Sequence, residues 1–139
     1  MAFLIHTVKD GHVPPFKFLP VGDGTYKVGD ALVFVSSVLE KVTTDVGQDT
    51  DEGPHYIAMF EGTVATSGST KYPVIRAADD NIIFETTLSA ADADIAAGLK
   101  YCIHTDGAQH DGTTTKGVLE VIDFDGTAKG DKVRVRFAE

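Results

Sequence analysis

Alternation of apolar and polar residues is clearest in "KVRVRF", where Val133, Val135 and Phe137 interleave with Lys132, Arg134 and Arg136. Successive side chains on an extended strand point to opposite faces, so this run predicts a strand with one buried and one wet face. "GVLEVIDF" interleaves Val118, Glu120 and Ile122 with Leu119, Val121 and Asp123. It is apolar on both faces near its middle, which predicts a central strand. Further runs rich in Val, Ile, Phe, Tyr and Thr are "ALVFVSS", "HYIAMFEG", "TKYPVIRA", "NIIFETTL" and "KYCIHT". Gly, Asp and Ser clusters separate them, as expected for strands joined by turns. Pro73 removes one ladder donor from "TKYPVIRA", which predicts a sheet edge or a bulge there.

The connectors follow the same logic. In "TYKVGDALVFVSSV", Tyr26 and Val28 alternate inward, Gly29-Asp30 makes a turn, and Ala31 to Val35 reads as a buried strand. Asp125-Gly126 and Gly130 between the last two runs signal a hairpin. Only "LSAADADIAAGLK", residues 88–100, departs from the pattern. Ser89 as cap, Asp92 in the first turn and Gly98 as terminator predict one short helix. The expectation is an all-β protein, a small β-barrel or sandwich with one short helix.

Residues 1–24 differ from the rest. Pro14, Pro15 and Pro20, three of the five prolines, deny the backbone donors and favour extended conformation. Phe3, Leu4, Ile5, Phe16, Phe18 and Leu19 supply apolar surface where no continuous strand is expected. The segment therefore reads as an extended N-terminal arm, 1–24, ahead of a β domain, 25–139. The arm is expected to become ordered on a partner or a neighbouring subunit, with those six residues as its contacts.

A chain of 139 residues fits one domain with a core of its own. A net charge of −9 argues against nucleic acid and against an anionic membrane surface as partners. No stretch approaches the length of a membrane-spanning helix, and "MAFLIHTVKDGH" lacks the features of a signal peptide. The single cysteine, Cys102, makes no internal disulfide and reads as a small buried hydrophobe. His104, two residues on, shares its strand face and leaves a thiol–imidazole pair open.

Candidate chemistry is sparse. "HTDGAQHDG" brings His104, Asp106, His110 and Asp111 together, residue types that suit a divalent metal. Its glycine-centred turns read as a solvated loop. Asp45, Asp49, Asp51 and Glu52 in "DVGQDTDEG" lack calcium-loop spacing. No nucleophile elbow, phosphate loop or dinucleotide fingerprint occurs. The expectation is a protein without catalytic residues, metal or cofactor.

The order of pieces resembles the small head decoration, or cement, proteins of tailed bacteriophages. The resemblance rests on Gly29 to Leu32, on Ile82 to Glu85, on the step from Ala97 to Tyr101, and on the closing strand Val133 to Phe137. It implies a β-barrel or sandwich on the outer capsid surface, bound to the major capsid protein and often trimeric. It also implies production in the host cytoplasm and no catalysis. An N-terminal arm that clamps the shell is common among such proteins. The alternative is a small-ligand or carbohydrate-binding β domain of a phage receptor apparatus. A barrel enzyme using His104 and His110 is a third reading.

Overall fold

The computed structural model describes residues 2–9, 11, 14–43, 47–49, 54–79, 81–104, 106, 110, 114 and 116–138. Its strands are β1 (Leu4–Val8), β2 (Lys17–Pro20), β3 (Gly24–Tyr26), β4 (Ala31–Val35), β5 (Val38–Lys41) and β6 (His55–Ala58). They continue with β7 (Gly62–Val64), β8 (Lys71–Arg76), β9 (Ile82–Thr87), β10 (Lys100–Tyr101), β11 (Leu119–Phe124) and β12 (Lys132–Phe137). One five-stranded sheet has the order β1-β9-β12-β11-β10, a second has β2-β8-β6-β4-β5, and β3 pairs with β7 in a ribbon. All named strand pairs are antiparallel.

The two large sheets share one core. Ala31, Val33, Ile57 and Ile75 of the second sheet pack with Phe84, Val121, Val133, Val135 and Phe137 of the first. The opposite face of the second sheet is buried as well. There Leu32, Leu39, Tyr56, Ala58 and Val74 pack with Val21 and with Tyr26 and Val64 of the ribbon. This double burial explains why "ALV" and "HYIA" read as apolar without alternation. The second sheet curls until its edges meet at one parallel bridge, Val21 to Leu39, where the Gly22 N–H donates to the Leu39 carbonyl at 2.8 Å. The ladder goes no further, and the architecture is not a closed barrel.

The expected helix over 88–100 does not form, and no helix occurs among the described residues. Distant carbonyls take the donors a helix would use. Ser89 N–H donates to His110, Asp92 N–H to Thr127 and Gly98 N–H to Val121. What remains local are short turns, Ile95 to Asp92 and Leu99 to Ala96. Three-residue turns of that kind do not propagate once the next donors are engaged elsewhere.

Pro73 is not at an edge, because β8 lies between β2 and β6. Pairing of β6 with β8 ends at Ala58↔Val74. Pro73 sits one step beyond, where its carbonyl accepts from Met59 N–H and its missing donor falls past the end of β6. Nor does Val28 point inward. β3 ends at Tyr26, and the turn that follows leaves Val28 exposed. "GVLEVIDF" flanks the middle strand, with a bulge at Ile122 that shifts its register against β12.

The first 24 residues contribute an edge strand to each large sheet. β1 pairs with β9, and β2 pairs with β8. Phe3 is only 1% exposed, and its ring meets Phe137 edge-on at 5.3 Å. Its N–H donates to the Gly29 carbonyl at 2.9 Å. Gly29 has φ of +96°, and a Cβ there would come within 2.6 Å of the Ala2 methyl. Glycine thus meets both the backbone angle of the turn and the close passage of the N-terminal segment.

Candidate functional site

The six apolar residues assigned to the arm do not stay together. Phe3 enters the shared core, Ile5 packs partly against it, and Leu19 packs partly against the second core. Leu4, Phe16 and Phe18 face solvent, with 53%, 46% and 60% exposure. Phe16 and Phe18 are two residues apart on extended backbone, so they share a side of the chain. Phe18 lies opposite Pro73 in the register of β2 and β8. An edge strand carrying Phe18, with Phe16 just ahead of its first residue, presents apolar surface beside partly unpaired backbone, a combination suited to a partner.

The outer face of the first sheet is charged and internally neutralised. Arg134 donates to Asp123, Asp125 and Glu85, while Lys132 also reaches Glu85 at 3.7 Å. Arg136 pairs with Glu120 across the strands. The bond from Arg134 holds the Asp125 carboxyl below its usual range, and the two aspartates hold the guanidinium charge more firmly. With cations and anions matched in place, this face carries no excess positive charge for a phosphate backbone.

His104 pairs with Asp106 at 3.3 Å. His110 is buried instead, its ring 4.3 Å from that of Tyr101. Burial, with Asp92 nearby, raises the Tyr101 hydroxyl above the normal phenol range. Asp111 lies outside the described residues, as do Asp45, Asp51 and Glu52. Among the described residues, no three or more His, Cys, Asp or Glu side chains converge as a metal site. Cys102 is buried.

A cleft of about 380 Å³ opens between β3 and the β4–β5 hairpin. Asp23, Gly24, Thr25, Tyr26, Val35, Glu40, Lys41 and Thr43 line it. Tyr26 is buried and donates its hydroxyl to the Gly22 carbonyl at 2.9 Å. Burial, then the charges of Glu40, Asp23 and Asp30, push that hydroxyl up to about 12. Lys41 sits 3.5 Å from the buried carboxylate of Asp30, which also accepts from Lys27 N–H at 2.9 Å. "TYKVGDALVFVSSV" is therefore both scaffold and cleft wall. Sequence reading passed over Asp23, Glu40, Lys41 and Thr43, which come together only when β3 and β5 flank the curled second sheet. The one local signal was Asp30, a polar residue held inside by its own turn.

No known protein family, curated protein or solved structure matches the chain.

Proposed function

We propose that the chain is a decoration, or cement, protein of a tailed-phage head. It rides on the outer capsid surface, binds the major capsid protein and stabilises the shell. The reading includes a homotrimer on the virion, made in the host cytoplasm, with no catalysis, metal or cofactor. The observation that supports it most is the exposed pair Phe16 and Phe18 at the β2 edge, with Leu4 exposed on β1. Full burial of one such side chain is worth roughly 1.5–3 kcal/mol. One subunit gains modestly from two rings, and several linked subunits on a repeating lattice gain much more. The neutralised outer face of the first sheet and the net charge of −9 also suit a surface that does not compete for packaged DNA.

The test is cosedimentation with purified tailed-phage heads assembled without this chain. The Phe16→Ser/Phe18→Ser double variant is expected to lose attachment while its melting and circular dichroism match the parent. Undiminished attachment by that variant refutes the reading.

The second reading, a small-ligand or carbohydrate-binding domain, draws on the cleft beside Tyr26, whose size falls in the range of ligand pockets. The ring of Tyr26 is buried and offers no stacking platform for a sugar.

A further inference from the structure

The backbone of β2 has one side in use and one side open. Pro73 turns its carbonyl toward β6, where Met59 N–H donates to it at 3.0 Å. In an antiparallel ladder each residue aims its N–H and C=O to one side, and its neighbours aim theirs to the other. Tyr72 and Val74 therefore face β2, and their partners Leu19 and Lys17 face β8. Phe18 is left with both backbone groups aimed away from β8, on the last strand of that side of the sheet. Phe16, two residues earlier on extended backbone, repeats the direction. Pro15 and Pro20 have no N–H to offer, so the open ladder is confined to the window between them. Lysine and proline on a short edge guard against indiscriminate pairing, but two exposed phenyl rings do not serve that end.

Charge selects the occupant. Residues 11–22 and 62–78 contain no Asp or Glu, in a chain whose net charge is −9. Lys17 on β2 and Lys71 and Arg76 on β8 are all exposed, and Lys71 stands opposite Pro20 at one end of the window. Two β2 edges paired antiparallel about Phe18 would gather the lysines of both copies, so a second copy of this chain meets like charge. The geometry points to the addition of an extended acidic segment of a partner protein to β2, hydrogen-bonded to Phe18 between Pro15 and Pro20. Its apolar side chains lie on Phe16 and Phe18, and its carboxylates lie toward Lys17 and Lys71. In strand addition the main-chain bonds supply affinity and the side chains supply the choice of partner. The inference deepens the attachment reading and rests on it for the use of this edge.

The experiment titrates isotope-labelled protein with the blocked pentapeptide acetyl-Glu-Val-Thr-Val-Glu-amide, following amide chemical shifts and hydrogen exchange at low salt. Saturable shifts are expected at Lys17, Phe18 and Leu19, with slowed exchange of the Phe18 N–H, both weakening as salt rises. The same peptide N-methylated at its three central residues keeps its side chains, loses its donors and is expected not to bind. The counterpart with lysine in place of both glutamates should bind more weakly by about tenfold, and Lys17→Gln/Lys71→Gln should weaken the acidic peptide by about fivefold, the scale of two surface ion pairs. Equal binding of the N-methylated peptide, equal binding of the lysine peptide, or no saturable shift at β2 overturns the proposal. So does self-association of the parent in sedimentation that Phe18→Ser abolishes, which makes the occupant a second copy. The peptide comparisons are read on the parent protein, so a poorly folding variant does not remove the test. Heads that bind the parent and release the Phe16→Ser/Phe18→Ser variant, with no peptide bound at β2, refute strand addition alone. Heads that hold the double variant as well as the parent refute the attachment reading, whatever the peptide does.

Discussion

Replacing Phe3 with alanine separates two roles open to the N-terminal segment, structural strand or free arm. The ring is buried between the two sheets and lies 5.3 Å from Phe137. Its removal forfeits the transfer energy of a whole phenyl group and leaves a cavity whose floor includes the Phe137 ring. Core substitutions of this kind cost about 3–5 kcal/mol, the aromatic pairing included. A domain of this size holds roughly 5–15 kcal/mol in total, so about a fifth or more of its stability is at stake. At about 3 °C per kcal/mol, the melting temperature should fall by roughly 10–15 °C. Phe18→Ala is the paired control. Its ring is 60% exposed, and stability should stay within about 0.5 kcal/mol of the parent. Urea unfolding followed by circular dichroism measures both. If Phe3→Ala melts with the parent, the N-terminal strand contributes nothing to the fold and the burial of Phe3 is wrong.

Three further outcomes follow from single residues. Ser89→Ala should leave stability unchanged within about 0.5 kcal/mol, whereas a lost helix cap would cost about 1 kcal/mol; urea unfolding distinguishes the two. Gly47→Ala should destabilise by about 1–3 kcal/mol, since the position has φ of +88° and a Cβ there would meet methyls of Val42 and Val33 at 2.8 and 2.9 Å. Tyr26 has its folded pKa raised to about 12 from 10.0. Its contribution is therefore intact below pH 10 and lost as pH climbs through 12. Tyr26→Phe should remove the last phenolate step in an ultraviolet titration, and an unchanged titration at high pH contradicts the burial of that hydroxyl.

Strands with one wet face were legible from sequence. "KVRVRF" alternates because Lys132 reaches solvent while Arg134 and Arg136 join the ionic face, and Val133, Val135 and Phe137 fill the core. The Gly29-Asp30 turn was legible because its chemistry is local, Asp30 closing on Lys27. "ALVFVSS" hid a hairpin. Ser36 takes φ of +58° without being glycine or asparagine, so the reversal between β4 and β5 carried no signal. The helix expectation failed because propensity in 88–100 met carbonyls of residues 110, 121 and 127, partners that no local window contains. In the N-terminal segment the residue types were visible, but their division was not. Whether Phe3 or Phe18 enters a core depends on Phe137 and Pro73, the one far along the chain and the other a cross-strand neighbour. The cleft was illegible for the same reason, as Asp23 and Glu40 are ordinary polar residues until the second sheet curls.

The meeting of Val21 with Leu39 bears on the order in which the molecule is made. Every strand of the second sheet and of its ribbon lies within residues 17–76. The curled sheet with its inner core is thus available for assembly before β9 is made. The first sheet has the opposite dependence. β12, encoded after every other strand, inserts between β9 and β11, and β1 waits at the far edge for β9. Until Lys132 to Phe137 emerge, Ala31, Val33, Ile57 and Ile75 lack the layer that covers them in the finished fold. A nascent chain paused in that interval carries a formed sheet with one oily face open, the state most exposed to capture by other nascent chains or by a chaperone.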